Sequence, residues 1–503
     1  MLIKPVLDRT GVKEIVDRCA PMERNRGLSN GDAVQVLVMN RLTAYTPLWR
    51  VEDWAREYAL KEVAGISPGE VNDDRLARSL DAISPCMEEI EAEVSLRMMK
   101  EYHIKPELIH MDFTSLYFEG SYDTSDIVKL GYSRDQKPDK KQVNIGLDVD
   151  ALEGMPLFHT QHDGNTADPS MAVENLRKIR ERLRPDHLIV VGDRSAIDGE
   201  IALMLHDYGL DFIGAMRMSQ GVRDIVASIP DDRFRPVDVQ RARGPREAYR
   251  AAETSLVFSH NEKRMEARGL VVLSERKAEQ DRGRREEAIE SVTSRLEEIS
   301  KKKLNGRQWK RPDFVRKKVE SAIRSKASYS NLFRAEVKGE YGHLSLTYDV
   351  DRSEVEKEAR LDGKYVLATT LRDWTTERVL EGYRSRYLIE ARVRNFKDEI
   401  AVRPVFLHND ERIKALVFVS VLALMIYTLM EILARRSRML SVWGNKDAPI
   451  TARQLLLLFG RVGLVELTMR DRSRLRIIER LDPLQVRVLK RMRLPMPETY
   501  MKI

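Results

Sequence analysis

Leu108-Ile109-His110-Met111-Asp112-Phe113-Thr114-Ser115-Leu116-Tyr117-Phe118 is the stretch on which the reading of this chain turns. Ile109, Met111 and Phe113 fall on one side and His110, Asp112 and Thr114 on the other, the period of two that marks a half-buried strand. Asp is disfavoured inside strands, so Asp112 at mid-strand asks for a reason. A lone strand aspartate is more often structural than catalytic, and the rest of the chain has to decide.

Reading towards the C-terminus, a second strand is expected over 143–149, leading through Glu153-Gly154 into a third over 155–160. Pro169 opens a helix to about residue 183. A continuous apolar run over 187–192 then ends at Asp193, at the carboxyl end of a strand, where open α/β sheets place ligands; Asp193-Arg194 could equally be a helix cap. A helix over 197–208 and a strand over 212–216 follow. Three antiparallel strands followed by helix, strand, helix and strand describe an α/β layer with parallel elements added to a meander.

Towards the N-terminus the first hundred or so residues read as helices. Ser29-Asn30-Gly31-Asp32 offers a cap before an apolar stripe of Ala33, Val36, Leu37, Val38 and Leu42, with further short helices over 51–60 and 74–83. A DNA end-binding role and a ligand-free helical cap are both open for this region. Between 218 and 364 the pattern breaks into strand-like pieces (256–259, 270–274 and 344–350) around a charged stretch, 275–326, that mixes Glu with Arg and Lys at helical spacing. That stretch is expected as a solvated helix pair laced by i,i+4 ion pairs, with a DNA-tracking arm as its functional alternative. The chain therefore divides into a helical N-terminal domain (1–104), the first part of a catalytic core (105–217), an insertion (218–364), the second part of the core (365–435) and a basic helical C-terminal region (436–503) carrying Arg470, Arg472, Arg474 and Arg476.

In the second core part a strand over 365–369 is followed by a long helix, capped by Thr375 or Thr376, running past Tyr383 to about residue 400. At about 100° per residue, Tyr383, Arg386, Glu390 and Lys397 fall within an arc of roughly 60° beside an apolar stripe of Ile389, Val393, Phe396 and Ile400. Residues 415–430 carry no charge and are bounded by Lys414 and Glu431; the run is shorter than the roughly 20 residues of a bilayer span and reads as a helix buried all round.

Bulk properties narrow the chemistry. The 503 residues are too many for one ordinary core. The net charge of +7 and pI near 9.1 suit a polyanionic partner, since Lys and Arg gain free energy by displacing counterions from phosphates. Cys19 and Cys86 cannot build a disulfide framework or a structural zinc site, and the N-terminus lacks the long apolar core of a signal peptide; a cytoplasmic protein with no membrane partner is expected. The nine histidines show no HExxH spacing, and neither GxxxxGK[ST] nor GxSxG occurs, which argues against zinc, nucleotide-hydrolase and serine-hydrolase sites. Asp148, Asp150, Glu153 and Asp163 are rival acids near the strands, and hairpin turn chemistry accounts for Asp150 and Glu153.

Asp112, Asp193 and Glu390 together suit phosphodiester chemistry. Two Mg²⁺ ions can activate water and stabilise a leaving oxygen, and Mg²⁺ favours carboxylate oxygens and retained waters; Mn²⁺ is expected to substitute. Arg386 and Lys397 could hold neighbouring phosphates and Tyr383 could donate a hydrogen bond to one.

These residues resemble a known family. Tyr383-x2-Arg386-x3-Glu390-x6-Lys397 matches the Y-R-E-K signature of the DDE insertion-sequence transposases of the insertion-sequence-four superfamily. Gly131-Tyr132-Ser133-Arg134-Asp135 with Lys137-Pro138-Asp139-Lys140-Lys141-Gln142-Val143, Gly164-Asn165-Thr166-x-Asp168, Val191-Gly192-Asp193-Arg194 and Asn72-Asp73-Asp74-Arg75-Leu76 are similar to further runs of that family. The resemblance implies an α/β fold, a ribonuclease-H-like mixed-sheet catalytic core with a β-containing insertion and flanking helical domains. It implies metal-holding catalytic roles for Asp112, Asp193 and Glu390 and DNA contacts from Tyr383, Arg386 and Lys397, to which Arg194 is added. It further implies a prokaryotic, nucleoid-associated enzyme acting as a homodimer on terminal inverted repeats and target DNA by cut-and-paste. A catalytically inactive DNA-binding derivative and a metal-dependent nuclease without strand transfer remain the alternatives.

Overall fold

The computed structural model describes residues 1–22, 27–183, 187–193, 197–239, 248–403, 405–443, 447–470 and 474–502. The chain forms two compact units, one from Met1–Phe212 together with Gly382–Ile503, the other from Ile213–Glu381.

The first unit holds the strand that opened the sequence reading. β1 (Leu108–Tyr117) pairs antiparallel with β2 (Gln142–Asp150), β2 pairs antiparallel with β3 (Pro156–Asp163), and β4 (Ile189–Gly192) runs parallel to β1, giving the order β3-β2-β1-β4. This is the expected meander with a parallel strand added, a mixed-sheet, ribonuclease-H-like arrangement. The alternation along β1 arises because Ile109, Met111 and Phe113 are all buried in apolar surroundings. The other face of β1 carries His110 and Thr114, also buried, with Asp112 less so.

Helices cover this sheet. The helix Met87–Glu101 lies on β3, and Asp168–Arg182, with Pro169 in its first turn, lies on β2 and β3. The helix Asp410–Arg436 is long and apolar enough to cross a membrane by length and composition, yet 89% of its apolar window is buried inside this fold. It packs against β3 and the helices Asn30–Thr43 and Asp73–Ile83, so the uncharged run reads correctly as a core helix. Ser29 caps Asn30–Thr43 by accepting from the Asp32 N–H at 3.0 Å, as its sequence foretold.

One expectation needs correction. The long helix over 376–400 is interrupted: Thr376–Arg384 ends, residues 385 and 386 form a turn, Tyr387–Arg394 begins, and a wider turn over Asn395–Glu399 closes it. The Ser385 hydroxyl donates to the Gly382 carbonyl at 2.8 Å, and the Leu388 N–H reaches only to Ser385 at 3.0 Å, so the ladder tightens locally.

Tyr387–Arg394 packs on β1 and β2 and is fastened by Arg392, which is 4% exposed. Arg392 Nε donates to the Gly154 carbonyl at 2.8 Å and Nη1 to Glu431 at 2.7 Å. Gly154 sits at φ +74°, and a Cβ there would stand 3.2 Å from Arg392. The β2–β3 turn, the helix and the long apolar helix are thus tied at one guanidinium.

In the second unit β5 (Asp211–Ala215) and β11 (Lys364–Thr369) pair antiparallel, and β11 continues through β8 (Lys263–Ser274) and β7 (Tyr249–His260) to β6 (Arg235–Val237). The charged stretch forms two helices, Glu275–Glu298 and Pro312–Arg324. They pack with the hairpin β9 (Phe333–Glu340) and β10 (His343–Val350) around a core that includes Val292, Leu296, Val315 and Leu346. In the first unit again, the C-terminal region, expected as helical, also contains an antiparallel hairpin, β12 (Leu464–Thr468) with β13 (Arg474–Ile478). Arg474 and Arg476 fall in β13, two residues apart as in a strand, and Arg472 lies outside the described residues.

Replacing Arg392 with Ala leaves the Glu431 carboxylate, 17% exposed, without its ion-pair partner. The expected cost is about 3–5 kcal/mol in chemical denaturation. An unchanged unfolding midpoint would show that the guanidinium does not tie these three elements together.

Candidate active site

Asp112 lies at the centre of β1, and Asp193 follows the last residue of β4, which runs parallel to β1. Parallel pairing of these strands brings the two carboxylates near one another. Burial pushes the Asp112 carboxyl up to about 6, and the Asp193 charge pushes in the same direction. Arg386, the Phe113 N–H donating to Asp112 Oδ1 at 2.9 Å, and Arg134 pull the other way without cancelling the rise.

Arg386 lies in the turn that interrupts the helix, and there it reaches Asp193 at 3.9 Å. It donates to the Tyr383 hydroxyl at 3.1 Å and sits over that ring at 5.5 Å. Burial opposes its charge, but Tyr383, Asp193 and Asp112 outweigh burial and raise its pKa. The turn is pinned from the sheet by His110, whose Nε2 lies 2.8 Å from Ser385 Oγ. Because the Ser385 hydrogen goes to the Gly382 carbonyl, Nε2–H is the donor in that pair. Burial and the Arg386 charge lower the His110 pKa to about 3, so the ring is neutral.

Glu390 occupies the first turn of Tyr387–Arg394, exposed, on a helix packed against β1 and β2. Lys397 lies in the closing turn and donates to Asp135 at 2.6 Å, an aspartate it shares with Arg403 at 2.6 Å. The Tyr-Arg-Glu-Lys row is therefore distributed over two helices and two turns. Tyr383 meets Arg386, Arg386 reaches Asp193, and Lys397 is engaged with Asp135. The ligand atoms of Asp112, Asp193 and Glu390 do not gather within 4.8 Å of one another. Arg194 lies outside the described residues.

Sequence reasoning overlooked four residues as parts of the site: His110 and Ser385, which hold the turn, Arg134, whose charge reaches Asp112, and Asp135, which holds Lys397. The alternation of β1 already put His110 on the face of Asp112. Arg134 also pairs with Asp168, and Gln142 Nε2 donates to the Gly164 carbonyl at 2.8 Å, so two separate sequence runs meet beside the strands. A Cβ on Gly164 would stand 1.9 Å from the Gln142 carbonyl oxygen, which is why glycine is required there.

The rival acids have other partners. Asp148 is fully buried and accepts from Asn175 at 3.0 Å. Asp150 accepts from the N–H groups of Leu152 at 3.2 Å and Glu153 at 2.6 Å, Glu153 pairs with Arg435 and Arg436, and Asp163 pairs with Lys129.

The donor set at Asp112 and Asp193 fits a hard divalent cation. Both offer carboxylate oxygens, and burial together with the Asp193 charge raises the Asp112 pKa despite Arg386 and Arg134. Among the described residues, Cys19, Glu89 and Glu93 do bring three ligand atoms within 4.8 Å. There burial and Glu89 raise the thiol pKa and Arg18 already pairs with Glu93, so one of the three ligands is a soft thiol held in its protonated form and another is already neutralised.

Residues 104–426, more than half of the chain, match the family described as "Transposase DDE domain", and residues 1–91 match one described as "Domain of unknown function (DUF4277)". No curated protein matches the chain. Among solved structures the chain is similar to one described as the piggyBac transposase synaptic complex with hairpin DNA, at 14% identity and a TM-score of 0.27. That match covers 55% of this chain and 61% of the other, so the chain spans about three fifths of that structure's length.

The raised Asp112 pKa sets a sign for stability. The folded protein holds this proton more tightly than the unfolded chain, so folding loses stability as pH rises from about 4 to about 6 and stays penalised above that. With divalent ions chelated, Asp112→Asn is expected to match the wild type near pH 4 and to exceed it at pH 7.5 by on the order of 1–3 kcal/mol. Urea denaturation at the two pH values measures this, and a less stable variant at pH 7.5 would contradict the picture of two repelling carboxylates.

Proposed function

The chain belongs to the transposase DDE domain family, and on that footing we propose that it is a DNA transposase that cleaves strands at transposon ends and transfers the resulting 3′-OH into target DNA. The observation that carries the reading is the pairing of Asp112 with Asp193 on parallel strands, with Asp112 pushed up to about 6 beside it. In this reading Asp112, Asp193 and Glu390 are the catalytic carboxylates and the residues that hold Mg²⁺, or Mn²⁺ in its place. Bound there, the metal supplies charge neutralisation and activation of an oxygen nucleophile.

The chain's own groups do the rest. Arg386, held between Asp193 and the Tyr383 hydroxyl, is placed to receive a phosphate oxygen, with Tyr383 as a second donor. Lys397, with Arg403 on the same aspartate, offers positive charge for the adjoining phosphate. Neutral His110 holds the Ser385 turn that carries Arg386 and does not compete for the incoming anion's charge. Residues 1–104 bind the transposon end, 105–217 and 365–435 form the two parts of the catalytic core around the 218–364 insertion, and the basic 436–503 region adds phosphate contacts. Two copies join the ends in a synaptic complex, and the element moves by cut-and-paste within a prokaryotic nucleoid.

The test uses the full-length protein with DNA carrying the inverted repeats that flank its coding region. Asp112→Ala, Asp193→Ala and Glu390→Ala are each expected to lower Mg²⁺-dependent cleavage and joining by at least ~10³-fold while end binding persists. Full activity in any one of them would remove that residue from the site. Cleavage without joining by the wild type would instead make the protein a nuclease.

A further inference from the structure

We propose that the turn and helix start at residues 299–318, in the second unit, form a sequence-independent binding surface for the phosphate backbone of duplex DNA; the proposal rests on the transposase reading for the nature of its partner.

The charge distribution singles out this segment. It contains nine Lys and Arg residues, at 301–303, 307, 310, 311 and 316–318, against the single acid Asp313, a net +8. The whole chain carries +7, so everything outside these residues sums to −1. Net positive charge is denser here, over 20 residues, than in the basic 436–503 region, where fifteen Lys and Arg stand against six acids over 68 residues. Much of the charged surface elsewhere is internally neutralised, as in the pairs Arg177–Glu181, Lys357–Glu354 and Lys414–Glu411. Within the segment, Lys301, Lys303 and Arg316 have acidic neighbours at Glu297, Glu298 and Asp313. Lys302, Arg307, Arg311, Lys317 and Lys318 are exposed and form no ion pair among the described residues.

The surface is held in shape rather than loose. Ile299, Val315 and Val319 anchor it in the core of the helix pair and the β9–β10 hairpin. Asn305 closes the turn on β10, donating from Nδ2 to the Leu344 carbonyl at 2.9 Å and accepting the Leu344 N–H at 2.7 Å. The Gly342 N–H donates to the Lys310 carbonyl at 3.0 Å, and Trp309 meets Phe314 edge-on at 5.3 Å. A dense set of unneutralised cations on a fixed scaffold matches a polyanion with closely spaced phosphates. Trp309 is committed to Phe314 and to Lys303, whose Nζ lies 5.6 Å from its ring, and is not free to stack on bases. The surface therefore positions DNA without reading its sequence.

The experiment compares full-length wild type with a variant in which Lys302, Arg307, Arg311, Lys317 and Lys318 are all changed to Gln, measuring affinity for an unrelated duplex and for the inverted-repeat duplex across salt concentrations. Each phosphate contact contributes about 0.9 to the slope of log K against log salt. The variant is expected to lose about 4–5 from that slope and at least about 100-fold in affinity at 0.15 M salt, equally on both duplexes. Its thermal melting should match the wild type, because the five side chains are exposed; a variant that melts early is replaced by the single changes Arg307→Gln and Arg311→Gln, each expected to lower the slope by about 1. An unchanged slope with intact wild-type binding overturns the surface while leaving the transposase reading standing. A loss confined to the inverted-repeat duplex overturns its sequence independence. Wild-type protein that binds neither duplex overturns both.

Discussion

The buried guanidinium of Arg392 is the constraint on which the catalytic unit depends. A charged group at 4% exposure is costly to desolvate, and it is retained only where its donors are satisfied. Here they reach the Gly154 carbonyl and Glu431, in two segments separated from Arg392 by hundreds and tens of residues. A single side chain therefore fixes Tyr387–Arg394 against both the sheet and the long apolar helix. Glu390 stands two residues away on that helix, so its position relative to β1 and β2 is inherited from the clamp. The directional bonds of Arg392 supply a register that apolar packing alone leaves open.

Around Asp112 and Asp193 a different balance operates. Burial and the neighbouring Asp193 charge both disfavour an ionised Asp112, and the charges of Arg386 and Arg134 offset this only in part. A fully neutralised pair would hold its charge so well that an incoming cation would gain little. The under-compensated pair keeps the protein less stable than it could be, the ordinary exchange of stability for function at reactive sites. The interruption at Ser385 belongs to the same arrangement, since it releases Arg386 from a regular helix and sets it beside Asp193.

Much of this was legible from residue order, because periodicity is local information. The alternation along β1, the apolar run ending at Asp193, the Ser29 cap and the uncharged core helix each appear where pattern and propensity agree. The turn at Ser385 was not legible: serine is tolerated within helices, and its hydroxyl becomes decisive only when His110, 275 positions earlier, comes to lie beside it. The pairing of Lys397 with Asp135 was hidden for the same reason, across 262 positions. The arginines from 470 to 476 show a different failure. Arg474 and Arg476 lie in β13 of a hairpin where the basic composition pointed to helix, because composition alone does not separate the two periods.

The catalytic unit is assembled from two stretches of chain with the whole Ile213–Glu381 unit between them. On a ribosome this separation becomes a delay. At about 5–20 residues per second, the roughly 170 intervening residues take on the order of 10–35 s to synthesise. Throughout that interval β1 to β4 exist without Tyr387–Arg394 and without Asp410–Arg436, the helices that cover them. Apolar sheet surface is bare, as partly built domains are when chaperones engage them. A product truncated within the Ile213–Glu381 unit carries Asp112 and Asp193 on the sheet without Glu390 or the helix that bears it.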